Sequence, residues 1–146
     1  MTGLTIHDVV IEAAHHIECN GYSAHYLYSV PQAQAGRPLA QCAVDVIGAI
    51  SLAAHGTPAH PATALTRATE QAVLAHTTAP SLAAWSDYKG NGKQRALALL
   101  QETAAGLRAQ AQQQDQWRAA RCPDCGEAIE IRDDGMRTLC ACDVAA

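Results

Sequence analysis

From Ile6 onward apolar residues return every three or four positions, and Ile6, Val9, Val10, Ala13 and Ile17 trace one face of a helix. Thr5 and Asp8 form a capping box at its start, with Asp in the place usually taken by Glu, and Asn20-Gly21 supplies the stop. The next stretch, YSAHYLYSVPQAQAGR, loses the period, gathers three tyrosines and Pro31, and reads as a loop. A second helix is expected from about Pro38 to His55, with Leu39, Cys42, Val46, Ala49, Ile50 and Ala53 on one face and Gly56 beyond its end. Pro61 suits the first turn of a third helix, whose stripe would be Leu65, Ala68, Ala72 and Ala75 and which Pro80 ends. A turn around Trp85 and the loop SDYKGNGKQR lead to a long fourth helix beginning near Asn91 or Gly92. There Leu97, Leu100, Ala104, Leu107 and Ala111 keep the three-four spacing, Trp117 lies near the same stripe, and AQAQQQDQWRAAR extends the helix.

At Arg121 the period changes from helical to alternating. Glu127 to Arg132 alternates, Asp133-Asp134-Gly135 is a turn signal, and Met136 to Leu139 can pair back as a second strand. The expected fold is therefore mainly α: a small four-helix domain with a long C-terminal helix, followed by a short β-hairpin, expected to be zinc-bound because Cys122, Cys125, Cys140 and Cys142 stand at its open ends. The expected divisions are an alanine-rich helical domain at 1–112, a helical linker at 113–120 and the hairpin at 121–146. Composition agrees with helices. Alanine makes up about a fifth of the 146 residues and Phe is absent, so the core must come from closely spaced helices with small side chains.

The hairpin's open ends carry four cysteines, which raises its chemistry above that of a plain turn. Cys122 and Cys125 sit in a C-P-x-C-G turn whose side chains converge, and Cys140 and Cys142 return after the hairpin. Four thiolates suit tetrahedral Zn²⁺, a soft-tolerant ion with no directional preference of its own, and a closed four-ligand site is structural. A thioredoxin-type redox pair would need the CxxC to open a helix beside a βαβ unit, a context not seen here, and a disulfide is the other alternative. The segment resembles the zinc ribbon class over residues 121 to 143. It departs from that class in the single residue between Cys140 and Cys142, so Asp143 or a histidine from the helical part could stand in for Cys142.

Charge narrows the partners. The net charge of −4 offers no global attraction for nucleic acid or an anionic membrane. Residues 121–146 hold six acids against three arginines, and a phosphate backbone would be repelled by them. Lys89, Lys93 and Arg95 form the most basic local patch, so a nucleic-acid accessory or transcription-regulatory role is the alternative to protein docking. The N-terminal stretch lacks the basic start and apolar run of a signal peptide, the apolar stretch 42–54 is short of a membrane span, and a cytoplasmic location is expected.

Other motifs carry less. Gly90-Asn91-Gly92-Lys93 has Asp87 where a P-loop needs its first glycine and Gln94 where it needs Ser or Thr. Glu12-x-x-His15 is one half-pair of a di-iron set that requires two. Cys19 and Cys42 fall on helical stripes and are expected in the core. No catalytic motif stands out, and the expectation is a non-enzyme; a small enzyme site around Trp85, Asp87 and the tyrosine loop is the weakest alternative.

Asn20-Gly21-Tyr22, Cys42-Ala43, Gly48-Ala49-Ile50 before Ala53-Ala54, and Trp85-Ser86-Asp87 before the last helix resemble a helical domain family of unknown function, common in actinobacteria and their phages. Residues 6 to about 107 carry the resemblance. Ser86 stands where that family usually has Asn in its Trp-Asn-Asp element, and the Cys42–Gly48 spacing is longer. The resemblance implies context and no particular chemistry. From their residue types, Trp85 is expected as a buried anchor and Asp87 as a helix or turn cap. The expected role is a zinc-binding interaction or regulatory protein, phage- or mobile-element-associated.

Overall fold

The computed structural model describes residues 3–60, 62–119 and 125–126, with 117–119 described by backbone alone. Along the chain stand α1 (Ile6–Asn20), α2 (Val30–Gln34), a 3-10 turn (Leu39–Gln41), α3 (Val46–His55), α4 (Ala64–Leu74), α5 (Leu82–Asp87) and α6 (Lys93–Ala119). The described residues are thus mainly helical, with six α-helices where four were expected, and their only β pairing is two isolated bridges. Contacts divide the chain into two units, Met1–Gly106 and Leu107–Ala146. The expected hairpin lies outside the described residues, apart from Cys125 and Gly126. No helix among the described residues is long and apolar enough to cross a membrane.

Helix α1 matches its sequence signals. Thr5 Oγ1 accepts from the Asp8 amide at 3.1 Å while the Asp8 carboxylate accepts from the Thr5 amide at 2.9 Å, closing the capping box. Val9, Val10, Ala13 and Ile17 are buried, and the Gly21 amide bonds back to Ile17 at the far end.

The continuous helix expected from Pro38 to His55 is divided. After the 3-10 turn the chain is extended through Cys42 to Val44, and Asp45 starts α3 by accepting from the Gly48 amide at 2.6 Å. The reason lies outside the segment: Val44 bridges to Tyr22 in parallel and to Tyr28 in antiparallel sense, so its backbone is already committed. Helix α3 is buried along Val46 to Leu52, including Ser51, as befits a central helix that is apolar all round. Helix α1 packs on α3, α4 packs on both, and α5 rests on α3 and α4.

Helix α4 begins at Ala64, capped by Thr63 in a second box with Thr66, later in the chain than the start expected at Pro61. Its inward stripe is Thr66, Thr69 and Val73, with Ala68 and Ala75 exposed, a rotation from the alanine stripe expected. Threonine fills these core positions because its hydroxyl returns to the helix: Thr69 donates to the Leu65 carbonyl at 2.8 Å and Thr66 to that of Thr63 at 3.1 Å. Two further helices replace expected loops. Pro31 stands in the first turn of α2, where its missing amide costs nothing, and α5 forms where a turn around Trp85 was expected. Helix α6 keeps Leu97, Leu100 and Ala104 buried as expected and adds Ala96, Leu99 and Thr103.

Candidate functional site

Helix α5 has two working faces, and each contributes to a different feature. Ser81 caps it by accepting from the Ala84 amide at 3.1 Å, and Leu82 and Ser86, one turn apart, face the core. Beyond Asp87 the chain turns back: Asn91 donates through Nδ2 to the Trp85 carbonyl at 2.8 Å, which holds the loop against the helix end.

On the outer face Ala84, Trp85 and Tyr88 form one wall of an open groove of about 630 Å³. Arg95, Ala98, Leu99 and Glu102 of α6, spaced to share one helix face, form another. The segment His76 to Pro80 completes the lining. Tyr88 is 65% exposed and its ring lies over Gly90, where a side chain would displace it. The groove therefore offers two aromatic surfaces, aliphatic floor and one charge of each sign.

The inner side of α5 meets the tyrosine loop and the start of α3. Tyr22 donates its hydroxyl to the Ser86 carbonyl at 3.1 Å, and burial raises the Tyr22 phenol above its usual range. His25, held at φ 72°, places Nδ1 3.3 Å from the Asp87 carboxylate, and both side chains are mostly exposed. Beneath them Asp45 is 5% exposed, and its pKa is pushed up to about 7. Burial is the main cause. The Gly48 amide works against it, while the Asp87 and Glu70 carboxylates push further upward. The Ser86 hydroxyl is buried with no hydrogen-bond partner among the described residues.

The family model for a family of unknown function, DUF6197, matches residues 1–106. The chain belongs to this family. No curated protein and no solved structure matches it. The groove, the Trp85-Ser86-Asp87 element and Asp45 all fall within the family region, which ends where the first compact unit ends.

Within the family region the sequence-derived candidates part company. Trp85 is half-buried and lines the groove, so it is not the enclosed anchor expected. Asp87 ends α5 exposed, paired with His25, and the capping work there belongs to Asn91. The basic trio is dispersed: Lys93 donates to the Glu18 carbonyl in the last turn of α1 at 3.0 Å, Arg95 lines the groove, and Lys89 is exposed. Cys42 is buried as expected, but Cys19 is exposed. Outside the family region, Cys122, Cys140 and Cys142 lie beyond the described residues; Cys125 is exposed, and Gly126 has φ 71°. Among the described residues no three His, Cys, Asp or Glu side chains stand together as metal ligands.

Asp45 escaped attention because it reads as an interruption of an apolar run. The signal in the sequence is a single acid inside the apolar run CAVDVIGAI, a stretch whose composition marks it for burial.

Proposed function

We propose that this DUF6197 domain is a non-enzymatic interaction module that takes a segment of a partner protein into the groove between α5 and α6. The observation that carries this reading is the groove's lining. Trp85 and Tyr88 stand opposite the Arg95–Glu102 face of α6, and aromatic and Arg side chains dominate the energetics of protein recognition. Binding is favoured over turnover by where the perturbed carboxyl lies: Asp45 is enclosed and is not part of the groove. Nucleic acid is disfavoured by charge, since Lys93 is engaged by the Glu18 carbonyl, Arg95 lines the groove apart from it, and the C-terminal segment is acidic. The resemblance of Asn20-Gly21-Tyr22 and Trp85-Ser86-Asp87 to actinobacterial and phage domains supports a cytoplasmic regulatory or phage-associated assembly.

The test is capture of partners from the native host with the wild-type chain and with a Trp85→Ala, Arg95→Glu double variant. Both positions are partly open, so the variant should fold. A stoichiometric partner held by the wild type and lost, at least tenfold, by the variant is the expected result. A partner held equally by both chains removes the groove from the function.

We further propose that Cys122, Cys125, Cys140 and Cys142 hold one structural Zn²⁺ at the C-terminal end. The support is the donor set, four sulfurs in a CxxC and CxC pattern around an alternating segment. Metal analysis of the purified chain should find about one tightly held zinc, with its removal exposing four reactive thiols. Four freely reactive thiols besides that of the exposed Cys19, and no zinc, in the untreated protein would exclude the site.

A further inference from the structure

Arg95 and Glu102 stand at the two ends of the α6 wall of the groove. Seven residues apart on one helix, they share a strip of its surface and lie about 10.5 Å from each other along the axis. Asn91 ties this wall to the other: its Oδ1 accepts from Arg95 Nη1 at 3.5 Å while its Nδ2 donates to the Trp85 carbonyl at 2.8 Å. Glu102 has no ion-pair partner among the described residues. The wall therefore presents a cation and an anion at a set interval, and a ligand that answers both carries an acid and a base at the same interval.

That interval selects the ligand's backbone. Residues on one face of a β-strand are about 6.8 Å or about 13.6 Å apart, and neither matches. One turn of polyproline II, three residues, advances about 9.3 Å, and side chains span the remaining difference of about 1 Å. An α-helix also matches, through positions seven apart. The opposite wall decides between these two. The Trp85 indole N–H and the Tyr88 hydroxyl belong to groove-lining side chains and have no hydrogen-bond partner among the described residues. A polyproline II segment keeps its carbonyls free to accept from such donors and lays proline rings on aromatic faces, whereas a helix has spent its carbonyls internally.

We infer, on the footing that the groove docks a partner segment, that this segment is proline-rich and in polyproline II form, with an acidic residue over Arg95 and a basic residue three positions away over Glu102.

Fluorescence anisotropy of labelled peptides with the full chain, at about 150 mM salt to screen distant charge, tests this. The probes are APPEPPRPPA, its like-charged forms APPEPPEPPA and APPRPPRPPA, and an alanine-based helical peptide with Glu and Arg seven apart. The wild type should bind APPEPPRPPA about tenfold tighter than each of the other three, since a mismatch replaces an attraction by a repulsion. Arg95→Glu leaves two acids on the wall and should move the preference to APPRPPRPPA by a similar factor. Tyr88→Ala, at a position 65% exposed where folding is not at stake, should weaken every proline peptide at least tenfold. A preference for the helical peptide overturns the inference. Equal binding of the three proline peptides, or a preference that Arg95→Glu does not move, overturns it too, as does no binding of them at millimolar concentration. If the proline peptides fail while a host partner is still lost by the Trp85→Ala, Arg95→Glu double variant, the groove docks a segment of another kind. If no partner depends on that variant either, the docking function falls as well.

Discussion

Asp45→Asn should make the protein more stable at pH 8 than the wild type and remove most of a pH dependence that the wild type shows between about pH 4 and 7. The wild-type carboxyl has a folded-state pKa of about 7 against 3.8 in the unfolded chain. Below 3.8 it is protonated in both states and carries no penalty. Between the two values the unfolded chain ionises and the folded one does not, so stability falls as pH rises, by about 1.4 kcal/mol per pH unit. Above the folded value both states are charged and the loss, on the order of 4 kcal/mol, is complete. Asparagine keeps an oxygen for the Gly48 amide, so the cap on α3 survives while the charge does not. Asp45→Ala is the useful contrast: it also removes the charge but gives up the cap, at about 1 kcal/mol.

Glu70, whose pKa burial also raises, acts in the same sense in wild type and variant alike, whereas other groups differ in sense or range. His16, whose pKa burial lowers, removes stability as pH falls, the opposite sense in the neighbouring range. The Asp8 pKa is also lowered, by its bonds to Thr5, so that contribution is lost only below the usual carboxylate range. Thermal melts of wild type and Asp45→Asn across pH 4 to 8 isolate Asp45, because the other terms cancel in the difference. Parallel curves for the two proteins would mean that the carboxyl is solvated in solution.

Gly48→Ala should be the most damaging small substitution in the family region, costing about 3 kcal/mol or more by overpacking. In an exposed helix the same change would stabilise by up to about 1 kcal/mol, since glycine is a poor helix former. Here a methyl group on Gly48 would run into the Leu27 carbonyl, with Asp45 Oδ1 close by. Backbone cannot give way as a flexible side chain can, so either the 22–29 loop lifts or α3 shifts. Gly106→Ala is the control: its methyl would meet only the His76 ring at 3.3 Å, which lines the open groove and can move. Chemical denaturation should separate the two, with Gly48→Ala strongly destabilised and Gly106→Ala near wild type or above it. Equal effects would show that the Leu27 loop does not press on α3.

The two predictions meet at one place. Leu27, Gly48, Asp45 and Val44 form the junction where the tyrosine loop crosses the start of α3, with Ser29 donating to the Ala43 carbonyl at 2.7 Å and Ser23 to that of Val44 at 3.0 Å. A charge released at Asp45 and a methyl added at Gly48 both load the same crossing. Protease sensitivity of the 22–29 loop should therefore rise in Gly48→Ala and fall in Asp45→Asn at pH 8.

What the sequence by itself determined are the features whose partners lie within a few residues. The α1 capping box, the Asn20-Gly21 stop, the left-handed Gly56 after α3 and the Leu97, Leu100, Ala104 stripe each rest on contacts inside one helix or its ends. The tertiary structure alone decided the rest. Periodicity carried a helix through Cys42 to Val44, but Tyr22 and Tyr28, far back in the chain, claim the Val44 backbone and split it. Threonines took the buried stripe of α4 because their hydroxyls bond within the helix, an outcome that a hydrophobicity pattern cannot register. Trp85 was visible as a candidate, yet its groove has walls from three separate segments, and Asp45 titrates near neutrality only because several helices and two other carboxylates surround it. Local hydrogen bonds are written in neighbouring residues, whereas enclosure is a property of the whole fold.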